Sequence, residues 1–156
     1  MSERVVELAS VDETRSRGKR LGALLQGGDY LALIGPLGAG KTEITRAICE
    51  GLAVPLEQVS SPSFAIVATY SGGRVPLLHA DLYRVGDVDE LYATGYFDLL
   101  GPTAAAIVEW ADLVPDAIPP DHLRLELEIA GPDARRLHAI ASGKRAEKLL
   151  SDWLSV

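Results

Sequence analysis

The chain has 156 residues, of which 47% are apolar and 24% charged, so one soluble globular domain with a single adequate core is expected. No apolar run approaches the roughly 18 to 20 residues that cross a bilayer, and "MSERVVELAS" has no apolar signal-peptide core. A formal net charge of -7 without a basic stripe argues against autonomous nucleic-acid binding; if the protein serves a nucleic acid, a partner makes the main contact.

In chain order, "RVVEL" predicts a short strand. Ser10 and Glu13 have capping-box spacing, which starts a helix running to about Gln26 that Gly27 and Gly28 stop. "DYLALI" reads as a buried strand, and Lys41 to about Leu52 as a helix. The single cysteine, Cys49, falls inside that helix; a buried structural thiol in a reducing cytoplasm fits it better than a nucleophile. "SFAIVATY" and "RVPLLHA" flank "SGG", a hairpin signal. Asp87 and Glu90 form a second possible capping box, before "LYATGYFDLL". "AAAIVEW" reads as a buried strand, and Pro115, Pro119 and Pro120 mark a loop. "LRLELEIA" alternates as a half-exposed strand does, "RRLHAIA" is its expected neighbour, and Ser142 could cap a final helix, "GKRAEKLLSDWL". Residues 1–156 are therefore expected to form a single α/β domain whose mixed parallel and antiparallel sheet is flanked by helices, a P-loop NTPase-like arrangement.

"GPLGAGKT" fits the pattern G-x-x-x-x-G-K-[ST] between a predicted strand and a predicted helix. A chance match in a strand-to-helix turn is the bland alternative. Functionally, Gly35, Pro36, Leu37, Gly38, Ala39 and Gly40 leave room for phosphate against bare backbone. The following helix adds its N-terminal N–H groups and dipole. Lys41 can reach the β- and γ-phosphates, and the Thr42 hydroxyl can ligate Mg²⁺.

Such a site needs an acid at a strand's carboxyl end. Asp81 ends "VPLLHAD" and Glu109 nearly ends "AAAIVEW"; either could bind Mg²⁺ while the other positions the attacking water. Taken singly, each is equally well a solvated strand-end charge. In "SSPSFAIV", Ser60, Ser61 and Ser63 crowd Pro62, either as a Ser-Pro turn or as a hydroxyl-bearing switch loop over the γ-phosphate. Arg84 is a surface arginine or a phosphate or partner contact. Tyr83 and His79 read as packing or hydrogen-bonding residues, and three scattered histidines with one cysteine give no zinc spacing.

"GPLGAGKT", "SPSF", "HADLYR" and "VEW" stand in the order and spacing of the TsaE (YjeE) family, bacterial P-loop proteins of tRNA threonylcarbamoyladenosine synthesis, and the chain resembles that family from about Leu31 to Ala111. The resemblance implies ATP and Mg²⁺ binding with slow hydrolysis, in the cytoplasm, together with TsaD and TsaB, so that tRNA is met through the complex. It implies that Lys41 and Thr42 hold phosphates and metal and that Asp81 and Glu109 lie near Mg²⁺. It further implies that Ser60 to Phe64 form a first switch loop and that Ser10 and Arg135 lie near the base. Trp110, beside Glu109, is an expected reporter on the site. Pro36 stands where the family usually has aspartate, Glu43 where it has a second threonine, and Ser63 replaces a threonine while keeping the hydroxyl. Two rivals share the loop. A small-molecule kinase would need an Arg-rich lid, for which no insertion is evident; a binding module would hold ATP only as a structural ligand.

Overall fold

The sheet's centre is built from strands that bury both faces. In a computed structural model, which describes residues 1–59 and 66–154, β2 (Tyr30–Ile34) and β5 (Ala105–Glu109) are near-continuous apolar runs. Leu31, Leu33 and Ile107 face one core, and Tyr30, Ala32, Ala106 and Val108 face the other. Five further strands complete the sheet: β1 (Ser2–Leu8), β3 (Val67–Tyr70), β4 (Leu77–Asp81), β6 (His122–Ile129) and β7 (Arg135–Ser142). The order is β1-β7-β6-β2-β5-β4-β3. The four central strands β6, β2, β5 and β4 are parallel to one another, and β1, β7 and β3 are antiparallel to their neighbours. The expected mixed α/β sheet is thus present.

Helices α1 (Val11–Leu24), α2 (Lys41–Gly51) and α5 (Lys144–Leu154) cover one face; α3 (Val88–Ala93) and α4 (Tyr96–Leu99) supply the other core. The Ser10 capping box is real: its hydroxyl accepts from the Glu13 amide (3.2 Å), while the Glu13 carboxylate accepts from the Ala9 amide (2.6 Å). Helices α1 and α2 touch backbone to backbone, because a Cβ at Gly22 would lie 2.0 Å from the Ile48 carbonyl oxygen and one at Gly51 1.9 Å from that of Lys19. This contact fixes the axis of α2, whose first residue is Lys41.

The Asp87 cap starts α3 at Val88, and Gly95, at φ +84, separates it from α4. Two local expectations change. The second hairpin strand is shorter than expected: β4 begins at Leu77, and Arg74 leaves the ladder to donate to the Gly22 (2.9 Å) and Ala23 (3.1 Å) carbonyls. Ser142 does not cap α5; it ends β7, and the Asp121 carboxylate takes the amides of Arg145 (3.1 Å) and Ala146 (2.9 Å). Cys49 is fully buried, and burial pushes its thiol up to about 12, as a structural thiol requires.

Candidate functional site

Period-two alternation decides which side chains meet. On β4, Leu77 belongs to the core under α1 and α2, so His79 and Asp81 point to that side too. On β5, Ala105 and Ile107 face the same core, which brings Glu109 with them. Asp81 and Glu109 are paired in register at the carboxyl ends of neighbouring parallel strands, and Leu33 at the end of β2 pairs with Glu109. The glycine-rich loop leaves β2 beside them and enters α2. A cleft of about 560 Å³ results, bounded by the loop from Leu37 to Thr42, by Asp81 and Glu109, and by Arg135.

Within the loop, Gly38 and Gly40 take φ +80 and +99, conformations an L side chain rarely adopts. A Cβ at Gly35 would lie 2.7 Å from the Leu127 carbonyl oxygen, so this position also needs glycine. The Ala39 amide turns back to the Pro36 carbonyl (3.1 Å). Lys41 is only 6% exposed; its ammonium donates to the carbonyls of Gly35 and Pro36 and sits 3.9 Å from the Trp110 ring centroid. Burial lowers its pKa, against the opposing pull of Glu109, Asp81 and Asp112. Thr42 is exposed to the cleft in the first turn of α2.

The carboxylates have different supports. Asp81 accepts the Tyr83 amide (2.9 Å). Burial, joined by the Glu109 charge, raises its pKa above the ordinary aspartate value, and the Tyr83 amide works the other way. Glu109, 6% exposed, is 2.7 Å from His79 Nε2, and His79 Nδ1 is 3.3 Å from the Tyr70 hydroxyl. A carboxylate oxygen accepts, so Nε2 donates to Glu109, while Nδ1 and the Tyr70 hydroxyl share the second hydrogen bond. This buried chain aims Glu109, and the sequence does signal it: His79 is two residues before Asp81 on one strand and must share its face.

The remaining predicted residues fall as follows. Trp110 has φ +58 and packs against Tyr83 at 4.9 Å between centroids, with the rings tilted by 49°. Arg84 lines the cleft and is exposed. The Ser10 hydroxyl is used as the α1 cap, and the next turn, Val11 and Thr14, reaches the cleft instead. Arg135 lines the cleft, and its guanidinium donates to main-chain carbonyls of the loop. Ser60, Ser61 and Ser63 lie outside the described residues. Glu43, at the cleft wall, is paired with Arg15 of α1.

A central parallel sheet with antiparallel flanks, a G-x-x-x-x-G-K-T loop at a strand-to-helix junction and acids at the adjoining strand ends define a P-loop NTPase-like α/β protein. The family model described as threonylcarbamoyl adenosine biosynthesis protein TsaE matches residues 8–137. The chain belongs to that family, whose role is in tRNA threonylcarbamoyladenosine biosynthesis. It is 38% identical over 142 residues to the tRNA threonylcarbamoyladenosine biosynthesis protein TsaE of Bacillus subtilis (strain 168), covering 90% of this chain and 87% of that one. Identity to the Streptomyces coelicolor protein of the same name is 38% over 122 residues, 76% of this chain and 81% of the relative. The crystal structure of Bacillus subtilis YdiB superposes with a TM-score of 0.77 at 32% identity, over 97% of this chain and 94% of that one.

Proposed function

We propose that the cleft binds ATP with Mg²⁺ and hydrolyses it slowly, and that the protein acts with TsaD and TsaB as the nucleotide-driven accessory of the tRNA-modifying complex. One observation carries this reading: the buried Lys41, the Leu37–Gly40 part of the loop and the paired ends of β4 and β5 converge on one cleft. The donor chemistry fits Mg²⁺, because Thr42, Asp81 and Glu109 offer hard oxygens from three different elements. Among the described residues no group of three or more His, Cys, Asp or Glu side chains could hold a metal. When bound, Mg²⁺ supplies countercharge to the phosphates.

The chain's own residues do the rest. Loop amides and the α2 N-terminus receive the phosphates, and Lys41 exchanges the Gly35 and Pro36 carbonyls for phosphate oxygens. His79 and Tyr70 keep one Glu109 oxygen occupied, which leaves the other for water or metal. Asp81 stands beside it at the same sheet edge. No helix among the described residues is long and apolar enough to cross a membrane, and the chain is acidic, so tRNA is met through the partners. The test is ATPase activity with and without purified TsaD and TsaB. Turnover that rises with the partners supports the reading. Absence of turnover in both conditions, or transfer of phosphate to a metabolite with no partner present, defeats it.

A further inference from the structure

Arg135 opens β7 where the β6–β7 turn approaches the tip of the glycine-rich loop. Each nitrogen of its guanidinium is engaged by main-chain carbonyls. Nε donates to Ala39 (3.0 Å) and Nη2 to Gly38 (3.1 Å), both in the loop. Nη1 lies against Gly131 (3.0 Å), Pro132 (3.4 Å) and Ala134 (2.8 Å), all in the turn. One planar group thus ties the loop tip to the end of a long antiparallel hairpin, and lysine, a point donor, has no equivalent fork.

The consequence follows from peptide geometry. In a trans peptide the C=O and N–H point in opposite directions. Holding the Ala39 carbonyl outward therefore turns the Gly40 N–H away from the guanidinium. Holding the Gly38 carbonyl does the same for the Ala39 N–H, which donates to Pro36 and closes the inner turn. That same Pro36 carbonyl receives Lys41. Glycines at 38 and 40 would otherwise let these two peptides rotate.

We propose that Arg135 is a positioning residue for the polyphosphate tail. It fixes the Gly38–Gly40 peptides so that their amides are set before a ligand arrives, and it does not read the base. This rests on the reading of the cleft as a nucleotide site and departs from the placement near the base that the family resemblance implies. Because Arg135 carries positive charge to the loop tip without leaving its carbonyls, its contribution is the same for any ligand with a β-phosphate.

The experiment compares binding of ATP and of inorganic tripolyphosphate, each with Mg²⁺, to the native chain and to Arg135→Lys and Arg135→Gln. Backbone pairing of residue 135 with Leu8 and Ile129 does not depend on its side chain, and the lysine variant keeps the charge should the glutamine variant fold poorly. The expected result is a loss of about tenfold or more for both ligands, by the same factor, in both variants. Faster amide hydrogen exchange at Gly40 in Arg135→Lys without ligand should accompany it, which a contact made only to ligand would not cause. Loss for ATP with tripolyphosphate unchanged would assign Arg135 to the nucleoside and overturn the proposal. Full affinity in Arg135→Lys would overturn it too, since charge alone would then suffice. A native chain that binds neither ligand would instead defeat the nucleotide reading.

Discussion

Replacing His79 by leucine tests whether Glu109 is aimed by the buried chain or is simply a strand-end acid. The substitution keeps volume and removes the donor to a carboxylate that is 6% exposed. A hydrogen bond to a charged group contributes about 1.5–3 kcal/mol, and breaking a buried pair from one side costs about 3–5 kcal/mol because the other side stays buried. About 3 kcal/mol is therefore expected. For a chain of this size each kcal/mol lowers Tm by about 2–4 °C, so a drop of about 6–12 °C should appear. Hydrolysis should fall at least about tenfold, while ATP affinity, which rests on the loop and Lys41, changes no more than about threefold. Urea unfolding of His79→Leu, Glu109→Leu and the double variant supplies the decisive number, with single-turnover hydrolysis of His79→Leu measured beside it. The double should be less destabilised than the sum of the singles by about 2 kcal/mol. Additivity within about 0.5 kcal/mol would refute the coupling, and a normal hydrolysis rate in His79→Leu would refute its relevance to the reaction.

Lys41→Ala should abolish tight ATP binding, as calorimetry would show, because backbone amides cannot replace the ammonium that the loop carbonyls hold in place. Asp81→Asn should bind ATP yet hydrolyse it about a hundredfold more slowly in single turnover with partners present. The same variant should be more stable than the native chain near neutral pH in EDTA. Burial and Glu109 raise the Asp81 pKa, so its stabilising proton is held below the ordinary aspartate value of about 4 and lost as pH rises through the folded value. Thermal scans from pH 4 to 8 should show the advantage vanish at the acid end. Asp121→Ala should cost about 1–2 kcal/mol by uncapping α5, with ATP affinity unchanged, whereas Ser142→Ala should be near neutral in the same thermal scan.

The parts of the fold that the sequence announces are those governed by local rules. Ser10 with Glu13 and Asp87 with Glu90 mark real helix starts, since a cap depends on residues three apart. "LRLELEIA" alternates because one face of β6 is buried and the other is not. The glycine-rich loop was legible because positive φ and close approach both demand glycine. What stayed hidden depends on pairing across the chain. Asp29 sits in what reads as an apolar strand, yet its carboxylate takes the Arg145 guanidinium at 2.7 and 2.8 Å, a partner 116 positions away. Asp121 caps a helix that begins across a hairpin from it, and no local spacing announces this.

On the proposed reading, the nucleotide chemistry would sit where the parallel centre of the sheet meets the β6–β7 hairpin. The parallel strands β4, β5 and β2 deliver Asp81, Glu109 and the start of the loop to one edge. The β6–β7 hairpin, antiparallel within itself and joined to β2 through its parallel strand β6, delivers Arg135 from the far side of β2, against the loop's tip. A loop held only at its ends would leave its glycines free to rotate, and the entropy lost on ordering them would oppose binding. A loop gripped from the hairpin, with Lys41 seated on its first carbonyls and α2 locked to α1 through Gly22 and Gly51, has that order before the ligand comes. The antiparallel strands therefore belong to the site as much as the carboxylates do. On the proposed reading they would hold the backbone where the phosphates bind, and the acids would act on a ligand already placed.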